Sequence, residues 1–210
     1  MTALGAYLLG SLPTGFLIAR AKGIDIRNVG SGNIGATNAI RVLGKPAGIF
    51  VLLADAAKGF CAVTFLSFFI FLFFYGDKGD ETMDAGWNLP IIAGIFAVLG
   101  HNYTCWLKFK GGKGIATTAG VYLALAPWAL LIALVVFILA LLVSRIVSVA
   151  SMSAAVALPA AVWVMMPQNI FLGIVTTALG VLAIYKHKSN IQRLMAGTEN
   201  RLGKKTEATK

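Results

Sequence analysis

Charged residues are scarce in this chain: Asp, Glu, Lys and Arg make up 12% of its 210 residues, against about 25% in soluble domains. A chain with so few charges cannot cover a folded domain with a water-facing surface. Cysteine and histidine are scarcer still, with two of each, which is too few for a disulfide framework or for a metal site built from those residues. The composition therefore excludes an ordinary soluble domain.

Long uncharged stretches take the place of a charged surface. Residues 1–19, 59–76, 85–107, 114–144 and 146–185 contain no Asp, Glu, Lys or Arg, and 58% of the whole chain is hydrophobic. A membrane-spanning helix needs about 20 apolar residues, so these stretches hold at least six spans. The pattern predicts an all-α, polytopic membrane protein.

The positions of the charges predict how the chain crosses the membrane. The net charge is +10, and the positive residues cluster in four segments, whereas residues 77–84 are mainly acidic. The basic segments are Arg20–Lys45, Lys108–Lys113, Arg145 and Lys186–Lys210. Cytoplasmic loops are enriched in Lys and Arg, so this charge indicates membrane topology rather than a nucleic-acid partner. If every basic segment lies inside, residues 114–144 must cross outward and return, with a turn at Pro127.

We therefore predict seven transmembrane helices, with the N-terminus outside and the C-terminus in the cytoplasm. The predicted segments are 2–20, 47–75, 86–106, 114–126, 128–144, 146–165 and 169–186. The fourth, near 114–126, is short, because a helix of that length reaches only about 20 Å. Residues 1–210 are expected to form a single membrane-embedded domain, with a core at 2–201 and a disordered basic tail at 202–210.

The first segment with the residue types of a binding site is the loop Gly30–Asn38, followed by Arg41. It combines glycines with small polar side chains: Gly30, Ser31, Gly32, Asn33, Gly35, Thr37 and Asn38. Glycines allow the backbone conformations that turn N–H groups toward an anion, and a helix starting near Ala36 would add further donors. Close packing of helices would explain the small residues alone, but it does not explain the amides, the hydroxyls and the arginine together.

The second such segment is Lys108–Gly114, in which Gly111 and Gly112 lie between lysines and precede a helix. Exposed backbone and cations at the start of a helix suit a phosphate. Lys108 and Lys110 are also explained by contact with lipid headgroups, so Lys113 is the candidate for phosphate binding. The segment is not a Walker A loop, because position 114 is neither Ser nor Thr and no strand precedes it.

The third segment, Lys186–Arg201, contains His187 and Asn190. If the helix continues through residues 186–194, these two side chains share one face with Arg193. A histidine can donate a hydrogen bond to a phosphate or move a proton near neutral pH. A solvated basic tail with an incidental histidine is the alternative interpretation.

Three further polar residues occur inside the apolar stretches. Asp55 and Lys58, three residues apart on one helix, are expected to form a structural ion pair. His101 is expected to be a structural histidine at the inner end of its helix, where it could brace the Lys108–Lys113 loop.

In combination, the three motifs resemble those of the bacterial acyl phosphate:glycerol-3-phosphate acyltransferases (PlsY type). The matching sequences are Gly-Ser-Gly-Asn-Ile-Gly-Ala-Thr-Asn, Lys-Gly-Gly-Lys-Gly-Ile-Ala-Thr and His-x-x-Asn-Ile-x-Arg-Leu-x-x-Gly-x-Glu, in this order. The resemblance implies transfer of a fatty acyl group from acyl phosphate to the 1-hydroxyl of glycerol 3-phosphate, which gives lysophosphatidic acid and phosphate at the start of phospholipid biosynthesis. It also implies a seven-helix protein of the bacterial cytoplasmic (inner) membrane with its site facing the cytoplasm, no metal, no cofactor and no coenzyme A. Neither a nucleic acid nor an obligate protein partner is expected.

The resemblance also implies roles for individual residues. Ser31, His187 and Asn190 would be catalytic. Ser31, Arg41, Lys113, His187 and Asn190 would bind the substrate phosphates. The acyl phosphate would be cradled by Gly30, Gly32, Asn33, Gly35, Thr37, Asn38, Gly111 and Gly112. The base remains open between His187 and a phosphate oxygen of the substrate. The His-x4-Asp motif of other glycerolipid acyltransferases is absent, since Trp106 and Gln192 stand five residues after the two histidines.

Two other functions are compatible with some of these features. Short broken helices and glycine-rich loops also occur in transporters, so a carrier of a phosphorylated metabolite is an alternative. Against it stand the lack of an inverted repeat and the placement of the polar groups at one surface. A non-catalytic lipid-binding scaffold would leave the ordered polar loops unexplained.

Overall fold

A computed structural model describes residues 1–75 and 83–202. The predicted acidic outer loop and basic tail fall almost entirely outside these residues. The described part of the chain is helical and contains no strand. It divides into two compact units, Met1–Leu125 and Ala126–Lys210, each of which has its own internal packing.

The first unit holds helices α1 to α7. Their bounds are α1 Thr2–Gly10, α2 Thr14–Ala21, α3 Ala36–Leu43, α4 Lys45–Cys61, α5 Ser67–Tyr75, α6 Met83–Asn102 and α7 Ile115–Leu125. α1 and α2 are separated at Pro13, because proline lacks an N–H donor and disfavours helical backbone in the preceding residue. A wider helical turn, Ala62–Leu66, joins α4 to α5.

Small residues let the helices of the first unit approach closely. α1 packs on α6, α3 on α4, and α4 on α7. At the α4–α7 contact, a methyl group on Gly59 would overlap the carbonyl oxygen of Thr117, and one on Gly120 would overlap that of Ala56. The two helices therefore touch backbone to backbone, as is common where helices associate in lipid.

The second unit holds helices α8 to α11, with bounds α8 Pro127–Ser144, α9 Val147–Met165, α10 Ile170–Lys186 and α11 Lys188–Met195. α9 packs against both α8 and α10. Pro127 begins α8, a position where its missing N–H and fixed φ are favourable. Asn169 caps α10, because its Oδ1 accepts from the N–H of Leu172 at 3.0 Å.

The helices agree in position with the predicted segments. Among the described residues, five stretches are long and apolar enough to cross a membrane, and α10 with α11 makes a sixth if that bent pair is one span. The five are Thr2–Ala21, Lys45–Phe74, Asn88–Leu107, Pro127–Ser144 and Val147–Met165. α7 has 11 residues, which is even shorter than the predicted fourth segment. The count of seven spans and the sidedness of the termini remain predictions.

Candidate functional site

The Gly30–Asn38 loop leaves a short 3-10 turn, Ile26–Asn28, and enters α3. Gly30 and Gly32 have φ of +65° and +71°, a backbone conformation that residues other than glycine rarely adopt. Gly35 is the N-cap of α3, and no side chain caps that end. Because the first N–H groups of an α-helix have no acceptor within the helix, those of Ala36 and Thr37 bring backbone donors to this end of the loop.

Asn38 organises this loop from within. Its side chain is almost fully buried, with 1% exposed. The Nδ2 group donates to the carbonyl oxygens of Ile26, Val29 and Asn33 at 3.2, 3.0 and 2.9 Å, and Oδ1 accepts from the Ser31 N–H at 2.8 Å. The amide thus shapes the cradle and faces the loop backbone.

The other polar side chains of the motif have less enclosed positions. Ser31, Asn33 and Thr37 are half-buried, and Arg41 is exposed near the end of α3. The Asn33 Oδ1 accepts from the Gly35 N–H at 2.8 Å, which fixes the last bend before the helix. These side chains line the loop or lie at its edge, where a ligand could reach them.

The carboxylate nearest in sequence to this loop is neutralised locally. Asp25 forms an ion pair with Arg27 at 2.6 Å and accepts from its Nε at 2.9 Å. The side-chain hydrogen bond with Arg27, together with that residue's backbone N–H, lowers the pKa of Asp25 to about 2. This carboxylate therefore stays ionised but paired with Arg27.

The Lys108–Gly114 loop is held against the end of α6. Lys108 and Phe109 both have left-handed backbone, with φ of 53° and 60°, and the N–H of Lys110 donates to the carbonyl of Leu107 at 3.1 Å. The N–H groups of Gly111 and Gly112 then donate to the carbonyls of Asn102 and His101 at 3.2 and 3.0 Å. Lys113 follows, half-buried, two residues before α7 begins.

A shared apolar cluster brings the first two motifs to the same end of the first unit. Leu107 precedes the lysine-rich loop, and it is buried together with Ile34 from the glycine-rich loop and Ala39 from α3. Ala19, Ile26 and Val51 complete the buried part of this cluster. Two stretches about 75 residues apart in the sequence thus form neighbouring parts of one structure.

Three buried polar side chains, Asp55, Lys58 and His101, lie near this cluster. Asp55 and Lys58 form an ion pair, as predicted. The Lys58 Nζ lies 2.9 Å from the Asp55 Oδ1, and it also lies 2.9 Å from the His101 Nδ1. All three side chains are about 5% exposed or less. His101 does contact the Lys108–Lys113 loop, through its carbonyl and through its ring beside Gly112.

The third motif lies in the second unit, where a bend at His187 precedes the helix that carries Asn190. α10 and α11 meet at His187 with a bend of 52°. The His187 ring is 3% exposed, and its Nδ1 lies 2.7 Å from the carbonyl oxygen of Ala183. Since a carbonyl can only accept, Nδ1 carries the proton, and Nε2 of a neutral ring is the acceptor. The N–H of Asn190 donates to the carbonyl of His187 at 2.8 Å, so the bend itself joins the two residues.

Glu199 holds this motif together, a role that the sequence analysis missed. It accepts from the Asn190 Nδ2 at 2.6 Å, from the Ser148 Oγ at 2.8 Å and from the Arg193 Nε at 2.6 Å. Burial raises the pKa of Glu199, but hydrogen bonds from Asn190, Ser148 and Arg193 outweigh burial and hold that pKa below its ordinary value. Its sequence signals were its place as the last residue of the third motif and its negative charge among the cations of residues 186–201.

The described residues contain no group of three or more His, Cys, Asp or Glu side chains placed to hold a metal ion.

Comparison with known proteins identifies the family. A family model described as glycerol-3-phosphate acyltransferase matches residues 1–197. Glycerol-3-phosphate acyltransferases from Geotalea daltonii and Trichlorobacter lovleyi are 42% and 46% identical, and each alignment covers 94% of both chains. The enzyme of that name from Thermosynechococcus vestitus is 45% identical over 97% of this chain and 94% of its own.

Solved structures agree with these relatives. A crystal structure of PlsY (YgiH), described as an integral membrane glycerol 3-phosphate acyltransferase in its glycerol 3-phosphate form, matches with a TM-score of 0.82 and 39% identity. That match covers 96% of this chain and 94% of the other. A lysophosphatidic acid form of PlsY matches with a TM-score of 0.80 and 37% identity. These similarities confirm the predicted fold class, an all-α polytopic membrane protein.

Proposed function

Because the chain belongs to the glycerol-3-phosphate acyltransferase family of the PlsY type, we propose that it acylates the 1-hydroxyl of glycerol 3-phosphate with acyl phosphate as the donor. The protein is a multi-pass membrane acyltransferase. Acyl phosphate as donor, lysophosphatidic acid and phosphate as products, and independence from metal and coenzyme A are the parts that we add. We place the enzyme in the bacterial inner membrane with its site facing the cytoplasm.

The observation that carries the proposal is that two glycine-rich loops of the kind that bind phosphate lie next to each other in the first unit. The Asn38-organised loop and the Gly111–Lys113 loop are both rich in glycine, and both are anchored in the cluster around Leu107. Arg41 and Lys113 add positive charge at these loops. This arrangement suits two phosphorylated substrates better than one neutral ligand.

The electrostatics explain why cations are required. Two phosphates of about −2 each, about 6 Å apart at an effective dielectric of about 20, repel each other by roughly 11 kcal/mol. Arg41 can grip one phosphate with two parallel hydrogen bonds, and Lys113 supplies a compact charge. Ser31 would contact the phosphates as well, and the acyl phosphate would lie in the cradle lined by Gly30, Gly32, Asn33, Gly35, Thr37, Asn38, Gly111 and Gly112.

The chemistry itself needs little from the protein. Acyl phosphate is a mixed anhydride, so the 1-hydroxyl oxygen attacks the acyl carbon, the bond from that carbon to the phosphate oxygen breaks, and phosphate leaves. The hydroxyl proton passes either to the Nε2 of His187 or to a substrate phosphate oxygen, and we favour the phosphate. In the proposal His187 and Asn190 bind phosphate, and Ser31 acts with them in catalysis by positioning the reacting groups.

The test is turnover by the purified protein in detergent, with acyl phosphate and labelled glycerol 3-phosphate and without coenzyme A. Label in lysophosphatidic acid, undiminished by a chelator, is the expected result. No product, together with uptake of glycerol 3-phosphate into vesicles, would instead identify a transporter.

Removing one cation tests the charge argument. Arg41→Ala and Lys113→Ala should each lower kcat/KM by about a hundredfold or more, because a phosphate charge then lacks its counter-charge. Lys45→Ala is the matched control: it removes an exposed cation at the start of α4 and should leave the rate within about threefold of wild type. Near-normal turnover by both Arg41→Ala and Lys113→Ala would refute the charge argument.

A further inference from the structure

Asp55, Lys58 and His101 form a buried polar set at the base of the Gly111–Lys113 loop. Asp55 and Lys58 lie on α4, and His101 lies at the end of α6. Their side chains are 4%, 5% and 5% exposed, within a helical and largely apolar unit. Apolar side chains of similar size would fill this space at a lower desolvation cost. Their burial therefore points to a geometric requirement beyond simple packing.

The hydrogen bonds of Lys58 define the state of the histidine ring. The Lys58 ammonium group has three N–H donors, and three acceptors surround it: the Asp55 Oδ1 at 2.9 Å, the carbonyl oxygen of Leu12 at 3.0 Å and the His101 Nδ1 at 2.9 Å. Because Nδ1 accepts, the ring of a neutral His101 carries its proton on Nε2. The ring orientation is thus fixed from α4 and from the break between α1 and α2.

The opposite edge of the same ring lies against Gly112. A methyl group on Gly112 would overlap Nε2 of His101 and lie 2.8 Å from Cε1. The carbonyl of His101 also accepts from the Gly112 N–H at 3.0 Å. His101 therefore holds Gly112 by both its backbone and its side chain, and Lys113 is the next residue.

We propose that Asp55, Lys58 and His101 are positioning residues that set the conformation of the Gly111–Lys113 loop for binding acyl phosphate. This inference rests on the proposed function, and it adds which residues fix the conformation of the loop. Asp55 and Lys58 act through the His101 ring, and the ring acts through its contact with Gly112. None of the three needs to touch the substrate.

The first test separates substrate binding from turnover. His101→Asn keeps an acceptor near the position of Nδ1 and removes the ring edge beside Gly112. The KM for acyl phosphate should rise about tenfold or more, because the loop that binds it is misplaced. The kcat should stay within about threefold, because the reacting groups are unchanged. Ser67→Ala is the control, since it removes a different buried polar group of the first unit, a hydroxyl that donates to the carbonyl of Val63. An unchanged KM in His101→Asn overturns the proposal.

The second test is a double-mutant cycle between the ring and the glycine. Gly112→Ala alone should lose most activity, because the new methyl group meets the His101 ring. In His101→Ala combined with Gly112→Ala that overlap is absent, so the double variant should be at least about tenfold more active than Gly112→Ala. Additive losses would show that the ring does not bear on residue 112, so a double variant no better than Gly112→Ala overturns the proposal.

A third measurement needs no substrate. Amide exchange in residues 108–114, followed by mass spectrometry in detergent, should be faster in His101→Asn and unchanged in Ser67→Ala. If wild type makes no lysophosphatidic acid, the proposed function fails, yet faster exchange still supports the positioning role. Unchanged exchange in His101→Asn overturns that role, whatever the activity of the wild type.

Discussion

The role of Asn38 can be tested by replacing it with its isosteric acid. Asn38→Asp keeps the shape of the side chain and retains an oxygen for the Ser31 N–H. The second oxygen, however, takes the place of Nδ2 and faces the carbonyl oxygens of Ile26, Val29 and Asn33 at the observed 3.2, 3.0 and 2.9 Å. Where the native amide attracts three carbonyls, the variant presents them with a buried negative charge.

The contacts of Asn38 set the size of the effect. An amide has two N–H donors, which here are shared among three carbonyls, and Oδ1 accepts one further bond. Asn38 therefore makes the equivalent of three hydrogen bonds. At about 1 kcal/mol net each these contribute about 3 kcal/mol to the native loop. Loss of the two donated bonds, and carbonyl repulsion in place of that attraction, should together cost at least as much. A change of about 3 kcal/mol corresponds to roughly a 150-fold shift in the population of the native loop.

The assay is kcat/KM for acyl phosphate and glycerol 3-phosphate, with folding checked by gel filtration and thermal unfolding in the same detergent. Asn38→Asp should lose about two orders of magnitude, in line with the loop population. Asn169→Asp is the matched control. Asn169 uses its Oδ1 to cap α10, which an aspartate does equally well, so its rate should equal that of wild type. An Asn38→Asp enzyme within about threefold of wild type would show that the amide does not hold the loop.

Two further predictions concern stability. Glu199→Gln should lower the unfolding temperature at neutral pH. Since the folded-state pKa of Glu199 lies below its ordinary value of 4.5, the stabilisation by its carboxylate is present above that value and lost as pH falls through the folded-state pKa; a deficit that persists in full at still lower pH would contradict the ionic role. Gly120→Ala should destabilise the protein by about 3 kcal/mol or more, because the methyl group meets the backbone carbonyl of Ala56, which cannot move without moving α4. Gly5→Ala, whose methyl group would meet the flexible Leu66 side chain at 3.3 Å, should unfold near the wild-type temperature.

The helices were predictable because lipid imposes a simple rule on the sequence. Long uncharged runs must become helices, since every backbone polar group needs an internal partner there. Pro127 could begin a helix or break one, and in the middle of a run too long for one span it marks the start of α8. The Asp55–Lys58 pair was predictable for a similar reason, because two charges three residues apart on an apolar helix have to neutralise each other.

The details of the site were less predictable because they depend on contacts between distant residues. The spacing of the Gly30–Asn38 motif shows which residue types gather there, but it does not show that Asn38 turns inward to bind three carbonyls. The bend at His187 has no glycine or proline to signal it, and the residues around it are compatible with a helix. The bond between Ser148 and Glu199 spans 51 positions in the sequence, and no local pattern encodes it.

The few carboxylates whose side chains the structure describes are all paired with cations, which matters for the anionic substrates that we propose. In the part of the chain whose side chains are described there are three, and each is held by a nearby cation: Asp25 by Arg27, Asp55 by Lys58 and Glu199 by Arg193. Each of these pairs lies within one unit and fixes a local structure, respectively the turn before the first loop, the base of the second loop and the third motif. The carboxylates are thus used to build the three motifs. Because each is already neutralised where it stands, these carboxylates would add little repulsion against the dianionic substrates that we propose.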